Sequence, residues 1–138
     1  MFKKVVVLFL TLFLAICLTF CGKDDNPTNA TPSENVSFEN DIQPIFTNNC
    51  SSSQCHGSGA SAGLNLTSGQ AYTNLVDVNS TQKPDLKRVL ANDADNSYLA
   101  MKLENRNISG NKMPPSGSLS DASISAIKQW INEGAKNN

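Results

Sequence analysis

The residues most able to do chemistry stand together in Cys50-Ser51-Ser52-Ser53-Gln54-Cys55-His56. Two thiols precede the only histidine of the sequence. A cysteine directly followed by histidine, with a second cysteine a few residues upstream, is the pattern of covalent c-type haem attachment. In that chemistry each thiol adds to a vinyl group of the macrocycle, and the adjacent imidazole ligates the iron from one face. The usual spacing leaves two residues between the cysteines, and here there are four. The extra pair has to bulge outward, which the small polar Ser51, Ser52 and Ser53 accommodate because they accept irregular backbone. Two other chemistries use the same side chains. Cys50 and Cys55 could pair as a disulfide in an exported binding or structural module, closing a loop so small that it would stabilise little globally. With His56 they could also hold zinc or copper, but no fourth cysteine or histidine follows to close a structural zinc site.

A haem iron with one histidine needs a second ligand or leaves its other face open. His56 is the only imidazole, so Met101 and Met113 are the candidates. Met101 lies among apolar residues of an expected helix and is most simply a core filler. Met113 lies in a polar, glycine-bearing loop and is followed by Pro114-Pro115, which stiffen the chain around it. A thioether on a stiff loop is what distal ligation requires, so Met113 is the expected partner of His56. With no second histidine there is no distal acid–base group for peroxidase chemistry. An electron carrier is therefore expected, not an enzyme.

Several helices must position these residues. Phe38, Ile42, Ile45 and Phe46 share one helical face. Pro44 fits only a first turn, so either Asp41 caps a helix starting at Ile42 or the helix kinks there. Gly57 to Gly63 is a loop of small residues able to lie against a flat cofactor. Leu64 and Leu66 touch down after it. Thr67 and Gln70 have capping-box spacing ahead of a short helix with Ala71, Tyr72, Leu75 and Val76 on one face. Arg88 to Leu90 reads as a brief irregular or extended run. Ser97 is the expected cap of a helix carrying Tyr98, Leu99, Met101, Lys102 and Leu103. The clearest helix is the last. Ser120 caps it, Leu119 staples onto Ile124, and Ile124, Ile127, Trp130 and Ile131 form its stripe before Gly134 ends it. The domain is thus expected to be mostly α, with short helices, long loops and no sheet.

The totals allow one modest domain and a targeting segment within 138 residues of net charge −1. The near-neutral balance excludes nucleic acid as an evident partner. Met1 to Lys4 is basic and Val5 to Phe20 is uncharged, the order of an export signal and shorter than the ~20 residues of a spanning helix. This segment resembles a bacterial lipoprotein signal peptide over residues 1–20, with Cys21 as the lipidated residue and Cys17 as the other candidate. Phe20 departs from the small residue that family places before its cysteine. Residues 21–36 are rich in Asn, Asp, Thr, Ser and Pro and read as a flexible tether. Gly22 after the lipid site, where that family's retention signal has aspartate, implies the outer membrane.

Residues 37–138 resemble a class I c-type cytochrome, and more narrowly the small cytochrome-c-like modules of bacterial envelope and planctomycete-type proteins. The matching pieces are Asp41 to Phe46, Cys50 to His56, Gly63 to Leu66, Asp95 to Leu99, Met113-Pro114-Pro115 and Ile127 to Ile131. The resemblance implies a small cytochrome c-like fold around one haem c. It implies thioethers at Cys50 and Cys55, and iron ligation by His56 and Met113. It further implies an electron-transfer lipoprotein of the cell envelope, anchored by lipid, facing the periplasm and exchanging electrons with other envelope redox proteins. Arg88 and Lys87 are the candidate partners of the haem propionates.

Overall fold

The computed structural model describes residues 35–138. The expected leader, the lipidation candidates Cys17 and Cys21, and the tether as far as residue 34 lie outside the described residues. Among the described residues the regular structure is helical, in short pieces, with no strand. Two isolated bridges are the only extended pairing there, Val76 with Val89 and Asn79 with Lys87. No helix among these residues is long and apolar enough to cross a membrane.

The first element is a π-helical turn, Phe38–Ile42, that runs directly into α1, Gln43–Asn49. Ser37 caps it, its Oγ accepting from the Asn40 amide at 3.2 Å. Asp41 does not cap a helix of its own, so of the two sequence alternatives the cap at Ile42 fails, and the irregularity before Pro44 is the change from π turn to α-helix. The Asp41 carboxylate instead accepts from the Ser37 amide at 2.8 Å, closing the turn from the other side. Pro44 then falls in the first turn of α1, at the point where the bonding changes from π to α register.

The next helix, α2, is Ala71–Leu75. The expected Thr67–Gln70 capping box does not form. The Thr67 amide and hydroxyl both donate to Asn65 Oδ1, at 2.9 and 2.7 Å, while the Thr67 carbonyl accepts from the Ala71 amide. A local Asx turn has outcompeted the cap for the threonine.

Helix α3 is Tyr98–Glu104 and follows Ser97 as expected, but the serine oxygen is used differently. Ser97 is fully buried; its Oγ accepts from the Leu90 amide at 2.8 Å and donates to the Asp93 carbonyl at 2.8 Å. The Tyr98 and Leu99 amides donate to Lys87 and Arg88 carbonyls. The run 87–90 is therefore stitched to the start of α3.

Helix α4, Asp121–Asn132, starts after Ser120 and buries its stripe as its sequence signals predict. Ser120 Oγ accepts from the Ser123 amide at 3.1 Å. Ile127, Trp130 and Ile131 are fully buried. Gly134 ends the helix at φ +99°, which an L side chain would resist. The indole Nε1 donates to the Lys136 carbonyl at 2.9 Å, so the one polar atom of Trp130 is satisfied.

The core joins these pieces through Phe38. Its ring lies 5.1 Å from Trp130, 5.4 Å edge-on from Tyr72 and 6.4 Å from Phe46, centroid to centroid. The first, second and last helices thus meet at one aromatic cluster. Chain ends reinforce it: the Val36 amide donates to Glu133, and Glu39 and Ser37 donate to the Asn138 carbonyl. Val36, at the end of the expected tether, is itself buried in this core.

Candidate functional site

Helix α1 delivers Cys50 to the site. The Phe46 carbonyl accepts from both the Cys50 and Ser51 amides, at 2.8 and 3.0 Å, so the cysteine is fixed one turn beyond a fully buried ring. The inserted residues then fold back. The Ser52 carbonyl accepts from the Cys55 and Gly57 amides, and the Cys50 carbonyl accepts from His56, all at 3.0 Å. The extra pair between the cysteines is absorbed in a loop that these bonds close. Gly57 is required there by space: a Cβ would lie 2.6 Å from the Ser51 oxygen and 2.7 Å from that of Ser52.

His56 emerges from this loop with its ring already oriented. Nδ1–H donates to the Ser61 carbonyl at 3.1 Å. A carbonyl can only accept, so Nδ1 carries a proton and, in the neutral ring, Nε2 carries the lone pair. The Ser61 carbonyl is in turn held by its neighbours. Arg88 Nη2 donates to the Gly63 carbonyl at 3.1 Å, and Thr81 donates to the Ala62 carbonyl at 3.2 Å.

Cys50, His56 and Met113 line one cleft of about 150 Å³. Met113 is distant in sequence and is brought there by its amide, which donates to the Lys102 carbonyl of α3 at 3.0 Å. Phe46, Leu64, Leu66, Leu75, Leu99 and Leu103 give the cleft an apolar interior. The volume is below the ~300–1,000 Å³ usual for ligand pockets. A flat ligand would have to part the walls that carry His56 and Met113. Met101, by contrast, is buried away from the cleft, as expected of a core residue.

Cys55 is exposed and does not line the cleft. Both thiols are free, and that of Cys50 is pushed up to about 11 by burial first and by the neighbouring Cys55 second. Cys50 is therefore a neutral thiol at pH 7. Among the described residues no three His, Cys, Asp or Glu side chains converge as a metal site, so Cys50, Cys55 and His56 do not make one by themselves.

Of the two cations singled out in the sequence, Arg88 lines the cleft and Lys87 does not. Lys87 donates instead to the Asp77 carbonyl at 2.7 Å. Lys102, Gln82 and Tyr98 also line the cleft and were not expected there. For Tyr98 and Lys102 the legible signal is their i, i+4 spacing on α3, which the structure realises with the Lys102 ammonium 5.7 Å from the ring centroid.

Comparisons of this chain with protein-family models, with curated proteins and with solved structures each found no match.

Proposed function

We propose that this chain is a single-haem c-type electron carrier of the bacterial cell envelope, built on a cytochrome c-like fold. One observation carries the reading: one apolar cleft is lined by Cys50, His56 and Met113 together. The donor set fits a covalently held haem with one imidazole and one thioether ligand. When bound, the haem would supply a one-electron ferrous–ferric couple.

The chain's own residues have separable tasks. Cys50 and Cys55 offer the thiols, Cys50 from the cleft wall and Cys55 from the exposed turn beside it. His56 is pre-set by the Ser61 carbonyl, which fixes its tautomer and strengthens it as a donor. Met113 completes a pair that favours a higher potential than ligand sets without a thioether. The leucines of the cleft exclude water and keep the local dielectric low. Lipidation at Cys21 would tether the domain to the outer membrane on its periplasmic side, within reach of other envelope redox proteins.

The test is to export the full chain in a host with haem-attachment machinery. The expected product is coloured, has a Soret band and carries one covalent haem by intact mass. A colourless protein two mass units light would instead indicate a Cys50–Cys55 disulfide and sink the proposal. In the coloured protein, Met113→Ala is expected to shift the visible spectrum and admit carbon monoxide or cyanide. An unchanged spectrum removes Met113 from the iron.

A further inference from the structure

The interior of the cleft is apolar, but one edge is not. Arg88 is 8% exposed and Lys102 is 7% exposed, and both line the cleft. Among the described residues neither forms an ion pair; the salt bridges there all belong to Arg106 and Lys128. Two buried cations without a counter-ion are costly, because desolvation is not offset by attraction. Arg88 spends its donors on carbonyls only, those of Asn74, Ala62 and Gly63. Lys102 donates to the Ser109 carbonyl at 2.9 Å. A guanidinium has five N–H donors and an ammonium three, so both retain capacity.

The two cations stand on one continuous rim. The Ala62 carbonyl accepts from both Arg88 and Thr81. Gln82 follows Thr81 and accepts from the Tyr98 hydroxyl at 3.2 Å. Gln82 and Lys102 then approach the same point, both within 4.0 Å of where a Cβ on Gly110 would sit. The rim Arg88–Thr81–Gln82–Tyr98–Lys102 therefore faces the leucine-lined interior with donors and two positive charges. A ligand that satisfies both parts has a broad apolar body and carboxylates along one edge.

We infer that Arg88 and Lys102 form a carboxylate-binding edge that takes the two propionates of the macrocycle and so sets which edge of it enters the cleft. This rests on the haem reading above. It assigns Lys102 in place of the Lys87 suggested by sequence, and it pairs one charge from the run before α3 with one from α3 itself. The other source of such a carboxylate is a free fatty acid, which has an apolar body but a single charge.

The experiment uses the full chain, purified from a host without haem-attachment machinery and titrated with haemin, with haemin dimethyl ester and with palmitate. Binding is read from the Soret band and from quenching of the single tryptophan. The expected result is that haemin binds at least about ten-fold more tightly than its ester, the loss of one or two charge-assisted hydrogen bonds. Arg88→Gln and Lys102→Gln should each reduce that preference, while Arg88→Lys and Lys102→Arg, which keep the charge, should retain most of it. Far-UV circular dichroism on each variant separates a lost charge from a lost fold. Equal binding of haemin and ester overturns the edge while leaving the haem reading intact. A preference that survives both glutamine variants overturns these two residues. Palmitate binding without haemin binding overturns the macrocycle as the source. A chain that binds none of the three, and stays colourless when exported with the attachment machinery, overturns edge and haem reading together.

Discussion

Replacing Gly57 by alanine tests whether the loop between the cysteines is packed as described. Neither Gly57 nor Gly59 has a positive φ, so alanine is conformationally allowed at both. Space separates them. A Cβ on Gly57 would meet two backbone oxygens at 2.6 and 2.7 Å, below the 3.0 Å that real Cβ atoms keep. A Cβ on Gly59 would meet only the Ser53 oxygen, at 3.1 Å. At Gly57 the obstacles are main-chain oxygens, and that of Ser52 already accepts from the Cys55 and Gly57 amides, so relief requires moving the Ser51–Ser52 backbone by several tenths of an ångström. Overpacking of that kind costs ~1–3 kcal/mol. The smaller unfolded-state entropy of alanine offsets ~0.4–1 kcal/mol of it. A net loss of about 1–2 kcal/mol lowers the melting temperature of a domain this size by roughly 5–15 °C. Gly59→Ala should stay within ~0.5 kcal/mol of the parent. Thermal unfolding by circular dichroism reads the first effect. Haem loading by intact mass, after export with the attachment machinery, reads the second. Cys55 and His56 adjoin Gly57, so loading should fall in Gly57→Ala and hold in Gly59→Ala. If the two variants melt together and load alike, the closed loop described for residues 50–57 is wrong.

Two further perturbations separate stability from chemistry. Met101 is 4% exposed, so Met101→Ala should cost ~2–5 kcal/mol in urea unfolding while leaving the visible spectrum of the loaded protein unchanged. A spectrum that moves with Met101 and not with Met113 would exchange their assignments. Glu104 accepts from Lys128 at 2.7 Å and from Arg106 at 3.1 Å. Those contacts, the Lys128 hydrogen bond foremost, hold its carboxyl below the ordinary glutamate range. A carboxyl whose folded pKa is depressed adds stability that is complete above its unfolded pKa of ~4.3 and is lost as pH falls through the folded value. These side chains remain 27% and 29% exposed, so Glu104→Gln should cost only ~0.5–1 kcal/mol at pH 7. The gap between parent and variant should narrow as the pH falls below ~4.3; a gap that does not narrow on acidification would remove the ion pair from the explanation.

What the sequence revealed depended on how local the deciding interaction was. Helix α4 was legible from end to end because its cap, its stripe and its terminal glycine all act within a few residues. Met113 stood out for a similar reason: a lone thioether before two prolines has no local core to join. The start of the first helix was not legible, because Ser37 and Asp41 are both good caps and the 38, 42, 46 spacing suits a π turn as well as an α-helix. The Thr67–Gln70 box failed to a competitor two residues away, Asn65, which no capping pattern includes. Ser97 was placed correctly for a reason that does not operate, since its hydroxyl serves Leu90 and Asp93 instead. Lys102 was legible as a helix residue and not as part of the site. A lysine on an apolar helix face ordinarily snorkels to water, and only the loop 105–117 folding over α3 makes it a wall of the cleft.

The segment 60–63 shows why this chain needs so much irregular backbone around its site. Ala60 and Ala62 both lie in the left-handed region, at φ 45° and 55°. A residue with a Cβ held there costs ~1–2 kcal/mol, and such positions persist only where the surroundings enforce them. The enforcement is visible in where the carbonyls point. Ser61 offers its oxygen to His56, Ala62 to Thr81 and Arg88, and Gly63 to Arg88. A regular helix would turn these three oxygens along its own axis, and a strand would alternate them. With the left-handed kinks at Ala60 and Ala62, all three successive carbonyls meet side chains that line the cleft. The turn therefore converts backbone strain into a fixed imidazole tautomer at one end and a restrained guanidinium at the other. That expenditure makes physical sense where His56 and Arg88 must be in place before a ligand arrives.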